Sequence, residues 1–136
     1  MFNDTRRLAA LIVGFTFAGL AVYFPLETYV TWSIAGVRGF LYSSYIANIV
    51  GMGLMLWGGV ATRRGKPFGP GLMATGWSWT AATFWRATSD RFWLTSLGMH
   101  LYAGPMELWL APIVTALAVV GLVASMLLVF RSQSST

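Results

Sequence analysis

Residues 42–61 read YSSYIANIVGMGLMLWGGVA, residues 62–67 read TRRGKP, and residues 68–87 read FGPGLMATGWSWTAATFWRA. Two apolar stretches of about 20 residues flank a short basic turn, and at 1.5 Å of rise per residue each covers about 30 Å of hydrocarbon. Lipid offers no partner for backbone N–H and C=O groups, so such stretches are helical. The pair is therefore a helical hairpin. Working outward, Leu8–Phe24 adds an apolar helix before it and Leu108–Phe130 adds one after it. The expected fold is all-α, an integral membrane four-helix bundle forming a single domain over residues 1–136, with helices at about 8–24, 42–61, 68–87 and 108–130.

Composition supports this expectation. The chain has 136 residues, 57% hydrophobic and 10% charged, against about 25% charged in soluble domains. A soluble fold of this size has too little interior for so much apolar surface. The net charge of +5 is spread between the apolar runs as topology signals and headgroup contacts are, so nucleic-acid binding is excluded. There are no cysteines and one histidine, His100. That removes thiolate metal sites, iron–sulfur clusters and a bis-histidine haem held within one subunit.

The first apolar stretch follows Arg6 and Arg7 as a signal peptide would, but no small-residue cleavage site follows it, and it reads as a retained helix. Arg6, Arg7, Arg63, Arg64, Lys66 and Arg131 fall on one side of the four crossings; Arg38, Arg86 and Arg91 fall on the other. The positive-inside rule then puts both termini and the 62–67 turn in the cytoplasm, with the protein in the cell inner membrane. The outer connections, residues 25–41 and 88–107, are aromatic and lightly charged, and are expected to lie along the interface. The chain then reads as two successive helical hairpins, helices one and two and helices three and four, each with a long outer connection, and no repeat is expected between them.

Few side chains offer chemistry. Ala74, Ser78, Ala82 and Arg86 recur every four residues, which is expected to form one stripe facing a neighbouring helix and to point Arg86 into the bundle. Two roles for Arg86 stay open. It clamps helices by pairing with Asp90 or Glu107, or it converges with Arg38 and Glu107 on a polar headgroup or a quinone carbonyl. Asn48, among small residues, is expected to bond across to a neighbouring helix, with ligand contact as the second role. Of the seven tryptophans, Trp79 in the cluster Gly76–Thr80 is the aromatic candidate for lining a cavity. His100, without carboxylates at ligand spacing, reads as a surface or structural histidine, with a haem or pigment ligand or a proton shuttle near neutral pH as the alternatives. Residues 65–71 (GKPFGPG) lack the order of a phosphate loop, and there is neither a Gly-x-Ser-x-Gly elbow nor a His-Glu-x-x-His motif. No catalytic residue, metal ligand or required cofactor is assigned.

Arg38-Gly39, the glycine-rich run Gly51–Gly59, the basic turn Thr62-Arg63-Arg64, Arg86 near the end of helix three and Glu107-Leu108 opening helix four together resemble the DoxX-like group of small four-helix bacterial membrane proteins. The resemblance covers the chain from about residue 36 onward; Pro25-Leu26-Glu27 departs from that group's usual opening. Some members of that group are associated with membrane oxidoreductases and many have no assigned activity; the resemblance matches Arg38, Arg86 and Glu107 to the group's recurring polar positions. The sequence expectation for function is a non-catalytic accessory or structural subunit of a membrane complex, surrounded by lipid and by other subunits or further copies of itself. The alternative is a binding or carrier protein for a quinone, pigment or lipid near the outer face, using Arg38, Asn48, Trp79, Arg86 and Glu107.

Overall fold

The computed structural model describes residues 2–34, 41–98 and 105–134, with side chains described at 4–29, 45–90, 92–98 and 109–134. These residues form four helices: α1 (Phe2–Ile34), α2 (Leu41–Arg63), α3 (Gly69–Ser96) and α4 (Pro105–Ser134). Segments of three of them, Asp4–Tyr29, Tyr45–Arg63 and Trp109–Ser134, are long and apolar enough to cross a membrane; α3 is not among them. The helices pack in the ring α1–α2–α3–α4, closing with α4 on α1.

The tightest seam joins α2 to α3. Across the turn, Gly65 at φ +69° supplies the left-handed residue that lets Gly65 and Lys66 donate back to the carbonyls of Thr62 (3.0 Å) and Ala61 (2.9 Å). The chain returns antiparallel, and α3 opens with Pro70, whose missing N–H costs nothing in a first turn. A Cβ on Gly58 would stand 2.7 Å from the Met73 Cα, one on Gly76 2.7 Å from the Met55 N, one on Gly69 2.7 Å from the Thr62 Cα, and one on Gly51 3.2 Å from the Thr80 hydroxyl. Each glycine thus admits the backbone or side chain of the facing helix. Met55 and Met73, both fully buried, fill the spaces between these contacts.

This seam has a sequence signature. Residues 51–62, GMGLMLWGGVAT, and residues 69–80, GPGLMATGWSWT, share Gly51/Gly69, Gly53/Gly71, Leu54/Leu72, Met55/Met73, Gly58/Gly76 and Thr62/Thr80. Antiparallel packing sets Gly51 against Thr80, Met55 against Gly76, Gly58 against Met73 and Thr62 against Gly69. Small therefore meets large at every level, in a local two-fold relation about the turn.

Trp77 ties this seam to the other two helices. Its indole is 4% exposed and donates to the Thr16 hydroxyl of α1 at 3.1 Å; that hydroxyl donates in turn to the Ile12 carbonyl at 2.8 Å. Phe15 stacks on it at 5.4 Å between centroids, and any Cβ on Gly121 of α4 would overlap its ring. Ile12, Val13, Ala118 and Leu128 complete this core. Toward the far end, Thr88 and Thr115 approach to 3.4 Å and Phe92 meets Trp109 edge-on, joining α3 to α4.

The helix ends differ from the sequence expectation. α1 continues past residue 24, through Pro25, to Ile34, and α3 continues past residue 87 to Ser96. Most of the expected interfacial connections, 25–41 and 88–107, is therefore helix. Pro25 is exposed and forfeits one backbone bond, while the turn after it is held by hydrogen bonds to α2, so packing outweighs the local break. Arg38, His100 and the rest of residues 35–40 and 99–104 lie outside the described residues.

Candidate functional site

Two features stand out once the core is accounted for: a polar cluster between α1 and α2 at the end remote from the termini, and the outward face of α3.

The cluster follows from the extension of α1. The inward positions of this helix, Ile12, Thr16, Tyr23 and Glu27, recur at spacings of four and seven. The last of them brings a carboxylate against α2. Asn48, 6% exposed, donates from Nδ2 to Glu27 Oε1 at 2.7 Å, and one turn further out Thr28 and the Tyr45 hydroxyl share a hydrogen bond of 3.1 Å. A hydrogen bond between neutral groups contributes about 0.5–1.5 kcal/mol, and one to a charged group about 1.5–3 kcal/mol. Asn48 Oδ1 is buried and, among the described residues, makes no hydrogen bond. Below the cluster Tyr23 meets Phe84 of α3 edge-on at 5.2 Å. Beside it, Trp79 donates from Nε1 to the Ala47 carbonyl at 2.8 Å, which fixes its ring over Gly51.

The outward face of α3 is unlike those of its neighbours. The exposed large side chains of α4 are all apolar: Ile113, Leu117, Val119, Val120, Val123 and Leu127 are aliphatic, with Trp109, Met126 and Phe130 beside them. On α3 a shallow cleft of about 440 Å³ is lined by Thr75, Ser78, Trp79, Ala82, Thr83 and Arg86. Thr75 and Thr83 turn their hydroxyls back to the carbonyls of Gly71 and Trp79 at 2.9 and 2.8 Å, leaving Ser78 and Arg86 as its outward polar groups. Arg86 Nε lies 3.8 Å from Asp90 Oδ2, with the two side chains 86% and 64% exposed. An exposed i,i+4 pair of this kind contributes about 0.3–0.5 kcal/mol.

No family model matches the chain, and neither a curated protein nor a solved structure matches it. The site must be read from its own geometry.

That geometry redistributes the residues singled out in the sequence. Asn48 and Trp79 are brought together, Asn48 buried and Trp79 bonded to the carbonyl of the residue before it. Arg86 does not enter the bundle. Of the expected stripe, Ala74 is buried whereas Ser78, Ala82 and Arg86 are exposed. The reason is geometric: a repeat of four residues advances about 40° per step on a helix of 3.6 residues per turn, so Arg86 sits about 120° around from Ala74. The inward face of α3 is instead Met73, Trp77, Thr80, Phe84 and Thr88, at spacings of four, three, four and four. Glu107 falls within α4, but its side chain lies outside the description, as does all of Arg38. Trp77 fills the core rather than lining a cavity.

Sequence reasoning misses Glu27, Thr28 and Tyr45, because the apolar stretch that defines the first helix stops at Phe24 and the Glu27 and Thr28 contacts to α2 lie beyond it. The signal was available: Thr16, Tyr23 and Glu27 keep one helical face across Pro25. Among the described residues no group of three or more His, Cys, Asp or Glu side chains converges as a metal site would require.

Proposed function

We propose that the chain is an integral membrane subunit of non-catalytic role, docking through the outward face of α3 onto another transmembrane surface of a larger assembly. The bilayer reading rests on three helices long and apolar enough to cross it. The proposed setting is a bacterial inner membrane, with both termini and the α2–α3 turn on the cytoplasmic side; the gathering of Arg6, Arg7, Arg63, Arg64, Lys66 and Arg131 at that end supports the orientation. Membership of the DoxX-like group belongs to the same proposal.

One observation carries the subunit reading. α3 packs between α2 and α4, and its exposed face joins small and polar side chains, Thr75, Ser78 and Ala82, to the cation Arg86, whereas the exposed small positions of α1, Ala10, Gly14, Ala18 and Ala21, are apolar. Lipid tails gain little from such a surface. A facing helix gains close dispersion contact at Ser78 and Ala82, together with a partner for Arg86. The rigid seam with α2 and the Trp77 anchor hold that face in place.

Extraction into nanodiscs of native lipid, followed by mass measurement of the intact particle, tests this. The expected result is an assembly larger than one copy that dissociates when Ser78→Leu and Ala82→Leu make the face bulky and apolar. A single copy in both cases would refute it.

A second reading is favoured by the Asn48 Oδ1 atom, which is buried and, among the described residues, has no hydrogen bond. Such an acceptor at the end of a lipid-exposed bundle suits a lipophilic molecule that carries a hydroxyl donor, such as a quinol or a lipid. A molecule co-purifying in one-to-one ratio and lost on Asn48→Leu would raise this reading above the first.

A further inference from the structure

The end of the bundle that bears the termini holds a groove none of these arguments use. It lies between α1 and the end of α2, encloses about 650 Å³, and has an apolar floor of Ala10, Val13, Gly14 and Phe17. Arg6, Arg63 and Arg64 stand at its mouth. The floor is open because α1 places alanine and glycine there: a Cβ on Gly14 would meet nothing within 4 Å. Phe17 closes the deep end, its ring resting on Gly59 of α2. Arg63 and Arg64 are exposed, and among the described residues neither forms an ion pair.

From Arg6 to Phe17 the helix rises about 16 Å, close to half of the roughly 30 Å hydrocarbon thickness, which is the depth of one leaflet. A slot one leaflet deep, apolar below and triply cationic at the top, matches a single amphiphile with an anionic head. Basic residues scattered on a surface set orientation; three guanidiniums gathered over an apolar groove add a shaped site.

We propose that this groove binds one anionic phospholipid, its acyl chain against Ala10, Val13 and Gly14 and its phosphate on Arg63 and Arg64, with Arg6 closing the site. The inference rests on the bilayer reading of the chain but not on the docking role of α3.

Native mass spectrometry of the purified chain tests it, with phosphatidylglycerol and phosphatidylcholine titrated into the detergent in equal amounts. The expected result is one phosphatidylglycerol retained in preference to phosphatidylcholine. In the Arg63→Gln/Arg64→Gln variant that preference should fall about 25-fold, corresponding to about 2 kcal/mol at 1.4 kcal/mol per decade. Arg131→Gln, a control cation at the end of α4, should leave it unchanged. Gly14→Leu fills open space without touching a charge and should lower retention about tenfold.

Equal loss in the Arg131 variant would mean diffuse surface charge and overturn the proposal. Displacement of the lipid by millimolar inorganic phosphate would overturn it too, since the site would then read the anion alone. Unchanged retention in Gly14→Leu would remove the groove from the account. A chain that fails to partition into membranes at all would refute the bilayer reading instead.

Discussion

Gly58→Ala adds one methyl group at the closest approach of α2 and α3, and its effect can be worked from the geometry. The new Cβ would lie 2.7 Å from the Met73 Cα and 2.9 Å from the Leu72 carbonyl carbon, where carbon atoms rest at about 3.5–4.0 Å. The two backbones must separate by about 1 Å, opening a seam whose stability is the sum of many small dispersion contacts. Overpacking of this kind costs about 1–3 kcal/mol. The substitution also gains up to about 1 kcal/mol in helix propensity, so a second variant is needed to cancel that gain. Gly53→Ala serves, because a Cβ there meets nothing within 4 Å. The difference between the two variants should be about 1–3 kcal/mol, a factor of about 5 to 140 in the folded-to-unfolded ratio. Reversible unfolding by titration of denaturing detergent into mixed micelles, followed by tryptophan emission, reads it directly. Gly76→Ala, at the equivalent place in the paired motif, should behave like Gly58→Ala. Trimming Met73 to alanine should not rescue Gly58→Ala, since that overlap is with the Met73 backbone. Equal shifts for Gly53→Ala and Gly58→Ala would refute the close seam.

Three further outcomes are expected. Trp77→Phe and Thr16→Val each remove one partner of the same buried hydrogen bond and should each cost about 0.5–1.5 kcal/mol; in a thermal-melt cycle the double variant should cost less than their sum. Asn48→Asp sets a second carboxylate against Glu27 and should destabilise the chain more than Asn48→Leu, measured by the same melts; the reverse order would mean that the Asn48–Glu27 contact is not made. Since the chain has no cysteine, single cysteines introduced at Gly65 and Gln133 should both react with an impermeant thiol reagent from the same side of sealed vesicles, and labelling from opposite sides would overturn the up-and-down topology.

Much of this fold was legible in the sequence. Long apolar stretches require helix wherever they are solvated by lipid, so their number and approximate positions follow from hydropathy alone. Their ends do not. Pro25 and the polar residues 88–96 weaken local helix preference, and contacts made by Glu27, Thr28 and Thr88 with other helices restore it. Facing is harder still, because a stripe drawn at intervals of four drifts around the helix. Three such steps carried Arg86 from the expected interior to the surface. The paired motif in 51–62 and 69–80 was readable as sequence, but its meaning emerges only when the turn at Gly65 folds one copy back upon the other. The polar cluster needed both corrections: the continuation of α1 past Pro25, and the facing of Asn48 toward it.

The docking face of α3 is the central claim, and site-specific photo-crosslinking in native membranes tests it most directly. A photoreactive side chain at Ala82 should yield a discrete protein adduct, whereas the same group at Val120 or Leu127, on the aliphatic face of α4, should yield lipid adducts. Lipid adducts alone at Ala82, indistinguishable from those at Val120, would contradict the account.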